Sequence, residues 1–273
     1  MSTNYHELEE MCRKIRLDII EMLHHAQSGH PGGSLSCVEI LVDLYFEHMC
    51  IRPDQPDWAD RDRLILSKGH AAPALYSILA EKGFFPKEML TTLRQPDSIL
   101  QGHPNALITP GIDATSGPLG LGLSFAVGQI LSAKMKGQDF IDYVLLGDGE
   151  IQEGVIWEAA MSASKFHCDH IIAILDWNHV QLDGKTDEIM PLGDIKGKFE
   201  AFGWRTIECD GHNLAEISHS IEEAKKFDGR PTIILARTVK GKSVSFMENR
   251  SEWHGKPIDD EHYQIAVSEI GGH

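Results

Sequence analysis

Two short segments decide the fold of this chain: LLGDGE at residues 145–150 and LDWN at residues 175–178. Each closes a short run of branched apolar residues, as expected of parallel strands that are buried on both faces. A segment with helical periodicity, residues 153–166, separates them. A strand, a helix and a second strand joined by the usual crossover place the two strands side by side. The sequence therefore predicts that Asp148 and Asn178 emerge at the same carboxyl edge of a sheet, where α/β proteins bind ligands.

These two side chains form a candidate metal site. A carboxylate and an amide oxygen are hard donors, and two of them suit a Mg²⁺ ion whose coordination is completed by the phosphates of a ligand. The alternative is that Asp148-Gly149 and Asn178 are ordinary turn residues, which the G-D-G sequence taken alone favours. The strand, helix and strand that separate them favour a metal-bridged polyphosphate instead.

Apolar runs and helical segments alternate along the rest of the chain. Strands are predicted at residues 64–66, 143–146, 171–175 and 232–235. Helices are predicted at residues 119–135, 153–166 and 214–227. This alternation predicts a three-layer α/β/α domain with a mainly parallel sheet. The sequence contains no internal repeat and no convincing linker, so we interpret residues 1–273 as a single domain.

The two ends of the chain give weaker signals. An apolar stripe over residues 8–23 predicts an amphipathic helix that ends near Ser28-Gly29. Ser36 followed by Glu39 resembles a capping box and predicts a second helix. Beyond Gly241 the periodicity is weak, so we expect that segment to be partly mobile.

Composition excludes several classes of partner. The chain carries 41 acidic and 25 basic side chains, a formal net charge of −16, and a field of that sign repels nucleic acids and acidic membrane surfaces. No apolar run approaches the roughly 20 residues of a membrane helix, and residues 1–10 are polar and acidic, so we expect a cytoplasmic protein. Five cysteines, an odd number without C-x-x-C spacing, argue against a disulfide framework or a zinc ribbon.

Four histidines lie in loops beside glycine: His30 in SGHPG, His70 in SKGH, His103 in GHP and His254 in WHG. Glycine lets the backbone approach a ligand, and an imidazole can donate to a phosphate oxygen or transfer a proton near neutral pH. Any one of them alone is better interpreted as a surface histidine. Their shared pattern favours a common site. Other histidines are expected to be surface or structural residues, namely His24, His25, His167, His170 and His212.

The segment TSGPLGLG, residues 115–122, opens a predicted helix. Its glycines and the unpaired N–H groups of a helix start could admit a flat ring and an anion. An equally good interpretation is that Pro118 occupies a favoured first-turn position and the glycines serve packing.

Together these motifs resemble the thiamine diphosphate-binding half (PP domain) of a transketolase. The resemblance extends from the GHPG motif at residues 29–32 to His254-Gly255. Its most specific element is Gly147-Asp148-Gly149 with Asn178, which several thiamine diphosphate enzymes share. The order GHPG, SKGHA, GHP and GPLG is what indicates transketolases among them.

The resemblance implies roles for particular residues. Asp148, Asn178 and the carbonyl of Val180 would bind Mg²⁺, or Ca²⁺ or Mn²⁺ in its place. The cofactor would contact His70, Gly117, Leu119, Gly149 and His254. His30 and His103, with His254, would face the sugar and assist proton transfer. Two acids, Glu153 and Glu158, match subunit-interface residues, although acids at a helix N-terminus are also stabilised by the helix dipole.

The chain ends where a full-length transketolase continues into its pyrimidine-binding and C-terminal domains. The resemblance therefore implies the N-terminal subunit of a two-component transketolase, which transfers a two-carbon ketol unit from a ketose to an aldose. A partner subunit would carry the missing domains and the activating Glu, in an α2β2 assembly. Alternatives are a subunit of a dihydroxyacetone synthase or ketoacid dehydrogenase, or a non-catalytic scaffold. A phosphate, sulfonate or neutral end on the sugar stays open.

Overall fold

The structure is a computed structural model that describes residues 4–272. The first three residues of the polar N-terminal segment and His273 lie outside the described residues. The strands are β1 Arg63–Leu66, β2 Asp142–Gly147, β3 Ile171–Trp177, β4 Val180–Gln181, β5 Gly184–Lys185, β6 Arg205–Asp210 and β7 Thr232–Arg237. The α-helices are α1 Tyr5–Ala26, α2 Pro31–Leu35, α3 Val38–Asp43, α4 Ala72–Lys82, α5 Leu121–Lys136, α6 Gly154–Lys165, α7 Thr186–Ile189, α8 Ile195–Ala201, α9 Leu214–Ala224 and α10 Asp260–Gly271.

Five parallel strands form the central sheet in the order β1-β2-β3-β7-β6. The strands β2 and β3 are neighbours, and Gly147 lies opposite Asp176 in their register. The short strands β4 and β5 form a separate antiparallel hairpin directly after β3. The predicted three-layer α/β/α class and the predicted β2–β3 neighbourhood are confirmed.

The core consists of two apolar layers, one on each face of the sheet. Because successive strand residues point to opposite faces, Tyr143 and Leu145 pack with α1, α3, α4, α9 and α10. Val144 and Leu146 pack with α5, α6 and α8 on the other face. Both faces are therefore covered, which explains why the strand sequences are nearly continuous apolar runs. All carboxyl ends of the strands are left at one edge.

Three expectations from the sequence were wrong or incomplete. The edge strand β6 was not predicted, because its sequence RTIECD alternates polar and apolar residues and only Cys209 among them is buried. The capping box at Ser36 does not form, since the Ser36 hydroxyl donates to Gly33 and Asp176, and Glu39 pairs with Arg16.

The third correction concerns the segment beyond Gly241, which was expected to be partly mobile. It includes a 3₁₀ turn at Ser251–His254 and the helix α10. Ala266 and Ile270 of α10 are buried in the core layer that contains α1. The helix was missed because only these two of its residues are buried, which leaves a weak periodicity.

All five cysteines are free: Cys50 is exposed, and the other four are buried, namely Cys12, Cys37, Cys168 and Cys209. Among residues 4–272, no helix combines the length and the apolar character that a bilayer crossing requires.

Candidate functional site

The site begins where β2 ends. Asp148 follows Gly147, the last residue of β2, and caps the 3₁₀ turn Gly149–Gln152. Its Oδ1 accepts a hydrogen bond from the backbone N–H of Gly149 at 2.7 Å, and its Oδ2 accepts one from the N–H of His179 at 2.5 Å. His179 belongs to the turn after β3, so the carboxylate connects the ends of the two strands.

Asn178 lies in the same turn, and Val180 begins β4 directly after it. The side-chain Oδ1 of Asn178 accepts from the N–H of Val180 at 3.1 Å, and its Nδ2 donates to Asp176 Oδ2 at 3.2 Å. The carbonyl of Val180 accepts from Lys240 Nζ at 3.0 Å. A carbonyl oxygen has two lone pairs, so that bond leaves a second position free for a cation.

The donor set fits a divalent cation. Asp148 is only 3% exposed, and the hydrogen bonds it accepts in the described residues come from backbone N–H groups. Burial, with a smaller effect of the charge of Asp176, raises the pKa of Asp148 to about 6. A buried carboxylate near a second carboxylate is stabilised in its charged form by a nearby cation. Oxygen donors of this kind suit Mg²⁺ or Ca²⁺ better than softer metals.

The four loop histidines come together beside these donors. The ring centroid of His30 is 5.5 Å from that of His70, 5.5 Å from that of His254 and 6.1 Å from that of His103. The rings of His70 and His254 are 4.9 Å apart. An added Cβ at Gly33 would lie 2.9 Å from Nε2 of His70, so only glycine lets the short helix α2 approach the ring this closely.

These imidazoles are neutral at physiological pH. Burial, aided by the charge of Arg94, lowers the pKa of His30 to about 4. Burial, aided by the charge of Lys240, lowers the pKa of His254 to about 3. Burial is also the main cause that lowers the pKa values of His70 and His103. A neutral imidazole has one N–H donor and one acceptor nitrogen, which is what a shared network of sugar hydroxyls requires.

A buried carboxylate, Glu150, joins the turn after β2 to the loop before α5. Its Oε1 accepts from the N–H of Gly120 at 2.7 Å and from the hydroxyl of Ser67, and its Oε2 accepts from the N–H of Gly147 at 3.0 Å. Gly120 has φ +88°, a left-handed conformation that favours glycine. This contact places the GPLG segment against the β2 turn.

A cavity of about 320 Å³ runs along this edge of the sheet. The predicted residues that line it are His70, Leu119, Asp148, Gly149, Asn178, Val180 and His254. Its other lining residues include Lys68, Glu150, Glu153, Gln181 and Lys240. Three predicted residues lie just outside it: His30 and His103 in the histidine cluster, and Gly117, whose added Cβ would be 3.7 Å from His103 Cγ.

Sequence reasoning gave no role to several charged residues of the site, among them Lys68, Glu150, Asp176 and Lys240. Lys240 contacts both the carbonyl of Val180 and Nδ1 of His254, the latter at 2.9 Å. Burial, with the charge of Lys68, lowers its pKa to about 8. Lys68 lies within the SKGH motif and Asp176 within LDWN, so both were adjacent to residues that the sequence did single out.

The five histidines that were expected to be surface or structural residues have contacts elsewhere. His24 stacks on Tyr263 of α10 with a centroid distance of 4.3 Å, and His212 Nδ1 contacts Glu39 at 3.0 Å. The ring of His170 stacks on Phe227 at 4.2 Å, and His167 Nδ1 lies 3.2 Å from the carbonyl of Gly229. Exposed His25 lies 3.9 Å from Glu21.

Comparison with known proteins relates almost the whole chain to transketolases. Residues 8–273 match the family described as "Transketolase, thiamine diphosphate binding domain". The 6-deoxy-6-sulfo-D-fructose transketolase subunit SqwG of Clostridium sp. (strain MSTE9) is 45% identical over 270 residues, which are 99% of this chain and 98% of that protein. An apulose-4-phosphate transketolase subunit of Phocaeicola vulgatus is 41% identical over 263 residues, 96% of this chain and 93% of that protein.

Solved structures give the same relationship. The crystal structure of the transketolase from Campylobacter jejuni subsp. jejuni NCTC 11168 superposes with a TM-score of 0.93 at 34% sequence identity. The match covers 98% of this chain and 43% of that one. The chain thus spans less than half the length of that transketolase, but nearly the full length of the two subunits.

Proposed function

The chain belongs to the transketolase family, and on that premise we propose that it is the N-terminal, cofactor-binding subunit of a two-component transketolase. Its single domain would bind a divalent cation and the diphosphate of thiamine diphosphate. The reaction is transfer of a two-carbon ketol unit from a ketose donor to an aldose acceptor. The observation that carries the proposal is the convergence of Asp148, Asn178 and Val180 with the clustered histidines at one sheet edge.

In this proposal, the chain's own residues bind and orient. Asp148, Asn178 and the Val180 carbonyl bind the cation, with Mg²⁺ as the expected ion and Ca²⁺ or Mn²⁺ as substitutes. Bound thiamine diphosphate supplies the nucleophilic carbon of the reaction. The diphosphate is contacted by His70, His254 and the Gly149 turn, and Gly117 and Leu119 lie beside the ring system.

The sugar would lie against His30, His103 and His254. Their lowered pKa values keep them neutral, so each can donate to one hydroxyl and accept from another. A proton that leaves a sugar hydroxyl during cleavage of the carbon–carbon bond can pass to an acceptor nitrogen of the cluster. The burial of the cluster also excludes bulk water from that transfer.

The donor ketose is proposed to carry an anionic end. The names of the two similar subunits specify a sulfonated ketose and a phosphorylated one. Both names describe ketoses with an acidic group away from the carbonyl. We therefore infer a substrate of that class and leave the identity of the acid to donor profiling.

A partner subunit is required in this proposal. It would supply the pyrimidine-binding and C-terminal domains and the activating Glu, in an α2β2 complex. Exposed apolar side chains near the cavity support a docking surface, with Leu119 at the rim and Leu121 and Phe125 along α5. Two exposed acids are proposed to lie at the same interface, Glu153 just before α6 and Glu158 within it. The free thiols agree with a reducing, cytoplasmic location.

Reconstitution tests the proposal. The purified chain, supplied with thiamine diphosphate and Mg²⁺, should show little ketol transfer, and a partner chain carrying the pyrimidine-binding domain should restore it. Turnover is measured as aldose-dependent consumption of phosphorylated and sulfonated ketoses. Robust turnover by the isolated chain would contradict the two-component assignment. Binding of cofactor without turnover in any reconstituted complex would support the scaffold alternative.

A further inference from the structure

The carboxylate of Asp176 is the most heavily hydrogen-bonded side chain at the end of the sheet, and the proposed function gives it no role. It is fully buried. Its Oδ2 accepts from Ser36 Oγ at 2.6 Å, from Asn178 Nδ2 at 3.2 Å and from Lys68 Nζ. Its Oδ1 accepts from the hydroxyl of Thr238. Each oxygen therefore has a defined set of donors.

Those donors come from separate segments of the chain. Lys68 follows β1, Thr238 follows β7 and Ser36 precedes α3. Lys68 Nζ also donates at 2.8 Å to the carbonyl of Gly33 in α2, the short helix that follows His30. Because β1 and β3 are separated by β2 in the sheet, this ion pair connects strand ends that are not neighbours. The position of the Asp176 carboxylate is thus determined from several directions.

The ion pair of Lys68 and Asp176 adds no net charge to the site. Nζ of Lys68 contacts Oδ2 of Asp176 directly, and both side chains are almost fully buried. The positive charge of the lysine compensates the negative charge of the carboxylate within the pair. The buried carboxylate of Asp148, which is outside this pair, is left to interact with a cation.

The hydrogen bond from Asn178 Nδ2 to Asp176 also determines which way the Asn178 amide faces. An amide side chain has a carbonyl oxygen at one corner and an NH₂ group at the other, and only the oxygen can bind a cation. Since Nδ2 donates to Asp176, Oδ1 occupies the opposite corner, where it also accepts from the N–H of Val180. Rotation of the amide by half a turn would place NH₂ against the cation and the oxygen against the Asp176 carboxylate.

We propose that Asp176 is a positioning residue that fixes the amide of Asn178 with Oδ1 towards the divalent cation, while Lys68, Ser36 and Thr238 fix Asp176 itself. The inference rests on the metal role proposed for Asn178. It assigns the lysine of the SKGH motif to the support of a metal ligand on another strand. Partners that orient a metal ligand typically change metal affinity by about 10- to 100-fold when removed.

A mutant cycle tests this role. The double variant Lys68→Met/Asp176→Leu removes the buried pair without leaving an unpaired charge, a replacement that folded proteins often tolerate. Its Kd for Mn²⁺, measured by electron paramagnetic resonance on the full chain with saturating thiamine diphosphate, should rise about tenfold. The same double change is then made together with Asn178→Asp and compared with Asn178→Asp alone. An aspartate at position 178 has two equivalent oxygens and needs no orientation, and removal of Asp176 also removes a carboxylate that would repel it, so the rise in the Mn²⁺ Kd should be absent in that background.

The cycle separates orientation from general support of the fold. A pair that only stabilises the fold would weaken Mn²⁺ binding equally with Asn or Asp at position 178, and that result would overturn the proposal. Glu39→Gln, which disrupts the buried Arg16–Glu39 pair, is the matched control and should lower the free energy of unfolding while leaving the Mn²⁺ Kd unchanged.

Two further variants complete the test. If the double variant does not unfold cooperatively in urea, Thr238→Val removes the donor to Asp176 Oδ1 and keeps the pair. With Asn at position 178, Thr238→Val should raise the Mn²⁺ Kd by a smaller factor than the double variant does. With Asp at position 178, it should leave the Mn²⁺ Kd unchanged. An equal rise in both cases overturns the proposal. Asn178→Ala reports on the premise, because an unchanged Mn²⁺ Kd in that variant would reject the proposed metal role itself.

Discussion

The carboxylate of Asp148 accepts a hydrogen bond at 2.5 Å from the backbone N–H of His179, the residue between Asn178 and Val180 in the sequence. The contact joins the end of β2 to the turn after β3 and brings the three proposed cation donors to one place. The donor to this carboxylate oxygen is a neutral backbone N–H group, so the carboxylate keeps its negative charge. The contact thus forms the frame of the site, and the charge remains available to a cation.

Removal of that carboxylate should abolish metal-dependent cofactor binding. Asp148→Ala is expected to weaken thiamine diphosphate binding in the presence of Mg²⁺ by about 100-fold or more, because a charged cation ligand is lost. Calorimetric titration with and without Mg²⁺ measures the effect, and Asp57→Ala, at an exposed acid, is the control. The variant should unfold cooperatively, since burial of Asp148 without a cation is itself unfavourable. Unchanged affinity would refute the ligand assignment.

Glu150 should couple stability to cofactor affinity. The carboxylate oxygens of Glu150 accept hydrogen bonds from Gly120, Gly147 and Ser67. In Glu150→Gln an NH₂ group replaces one of these oxygens, so it faces a hydrogen-bond donor instead of accepting from it. We expect a loss of about 1 to 3 kcal/mol in the free energy of unfolding. Thiamine diphosphate affinity should fall as well, because the GPLG loop loses its contact with the β2 turn. Urea unfolding and cofactor titration measure both, with exposed Glu158→Gln as control, and a variant matching wild type in both assays would contradict this role.

The histidine cluster should make the domain labile to acid. In the unfolded chain an imidazole binds its proton near pH 6.5, whereas the pKa of His30 in the folded protein is lowered to about 4 by burial. Between these values the unfolded state binds more protons, so stability is lost as the pH falls from about 6.5 towards 4.

His30→Asn should reduce that loss. The slope of unfolding free energy against pH should decrease by up to about 1.4 kcal/mol per pH unit, the effect of one proton. Urea unfolding between pH 4 and pH 7 measures it, and His25→Asn, at an exposed position on α1, controls for loss of a histidine. A slope identical to that of wild type would show that His30 does not titrate differently in the two states.

The opposite edge of the sheet contains an acid that should destabilise the fold at high pH. Both carboxylate oxygens of Asp142, at the start of β2, are buried without a hydrogen-bond partner within residues 4–272. Burial raises its pKa well above the usual value, so its folded form favours the proton and stability is lost as the pH rises through the folded pKa.

Asp142→Asn should therefore stabilise the protein at pH 8. The expected gain is on the order of 1 kcal/mol for each unit by which the folded pKa exceeds the unfolded one, and it should shrink as the pH is lowered towards 4. Urea midpoints at several pH values measure this difference, with exposed Asp60→Asn as the control. A gain independent of pH would mean that ionisation of Asp142 is not the cause.

The sequence predicted the parts of the site that depend on local signals. Asp148 and Asn178 could be placed together because strand, helix and strand follow one another directly, and crossover rules then make the strands neighbours. The ion pair of Lys68 and Asp176 could not be predicted. Its members follow β1 and end β3, which are not neighbours in the sheet, and the order of strands has no local signal.

Strands and helices of the fold were likewise predicted only where the local sequence carries a signal. Strands such as β2 and β3, buried on both faces, are continuous apolar runs and were located within a few residues. The edge strand β6 is only half-buried and alternates in polarity, so it has no such run. Helix α10 is held by Ala266 and Ile270 against a layer built largely from the first half of the chain, a contact that only the tertiary structure defines.

Association with the proposed partner should depend on Phe125. This side chain is 46% exposed on α5, one turn after exposed Leu121, and Leu119 connects the same surface to the cavity rim. Burial of such an aromatic residue at the centre of an interface commonly contributes about 2 kcal/mol or more. Phe125→Glu should therefore weaken binding of the partner by about 30-fold or more, because a charge would be buried in an apolar contact.

The matched control is Phe166→Glu, at a phenylalanine that is 50% exposed at the far end of α6. It should leave partner affinity unchanged, since helices that follow parallel strands run back from the cofactor edge. Partner affinity is measured by calorimetry, and thiamine diphosphate binding by the isolated chain reports that each variant has kept its site. Equal losses in the two variants would indicate a general effect of added charge on an already acidic protein. Normal affinity in Phe125→Glu would place the partner on another surface and leave the exposed strip of α5 to be explained.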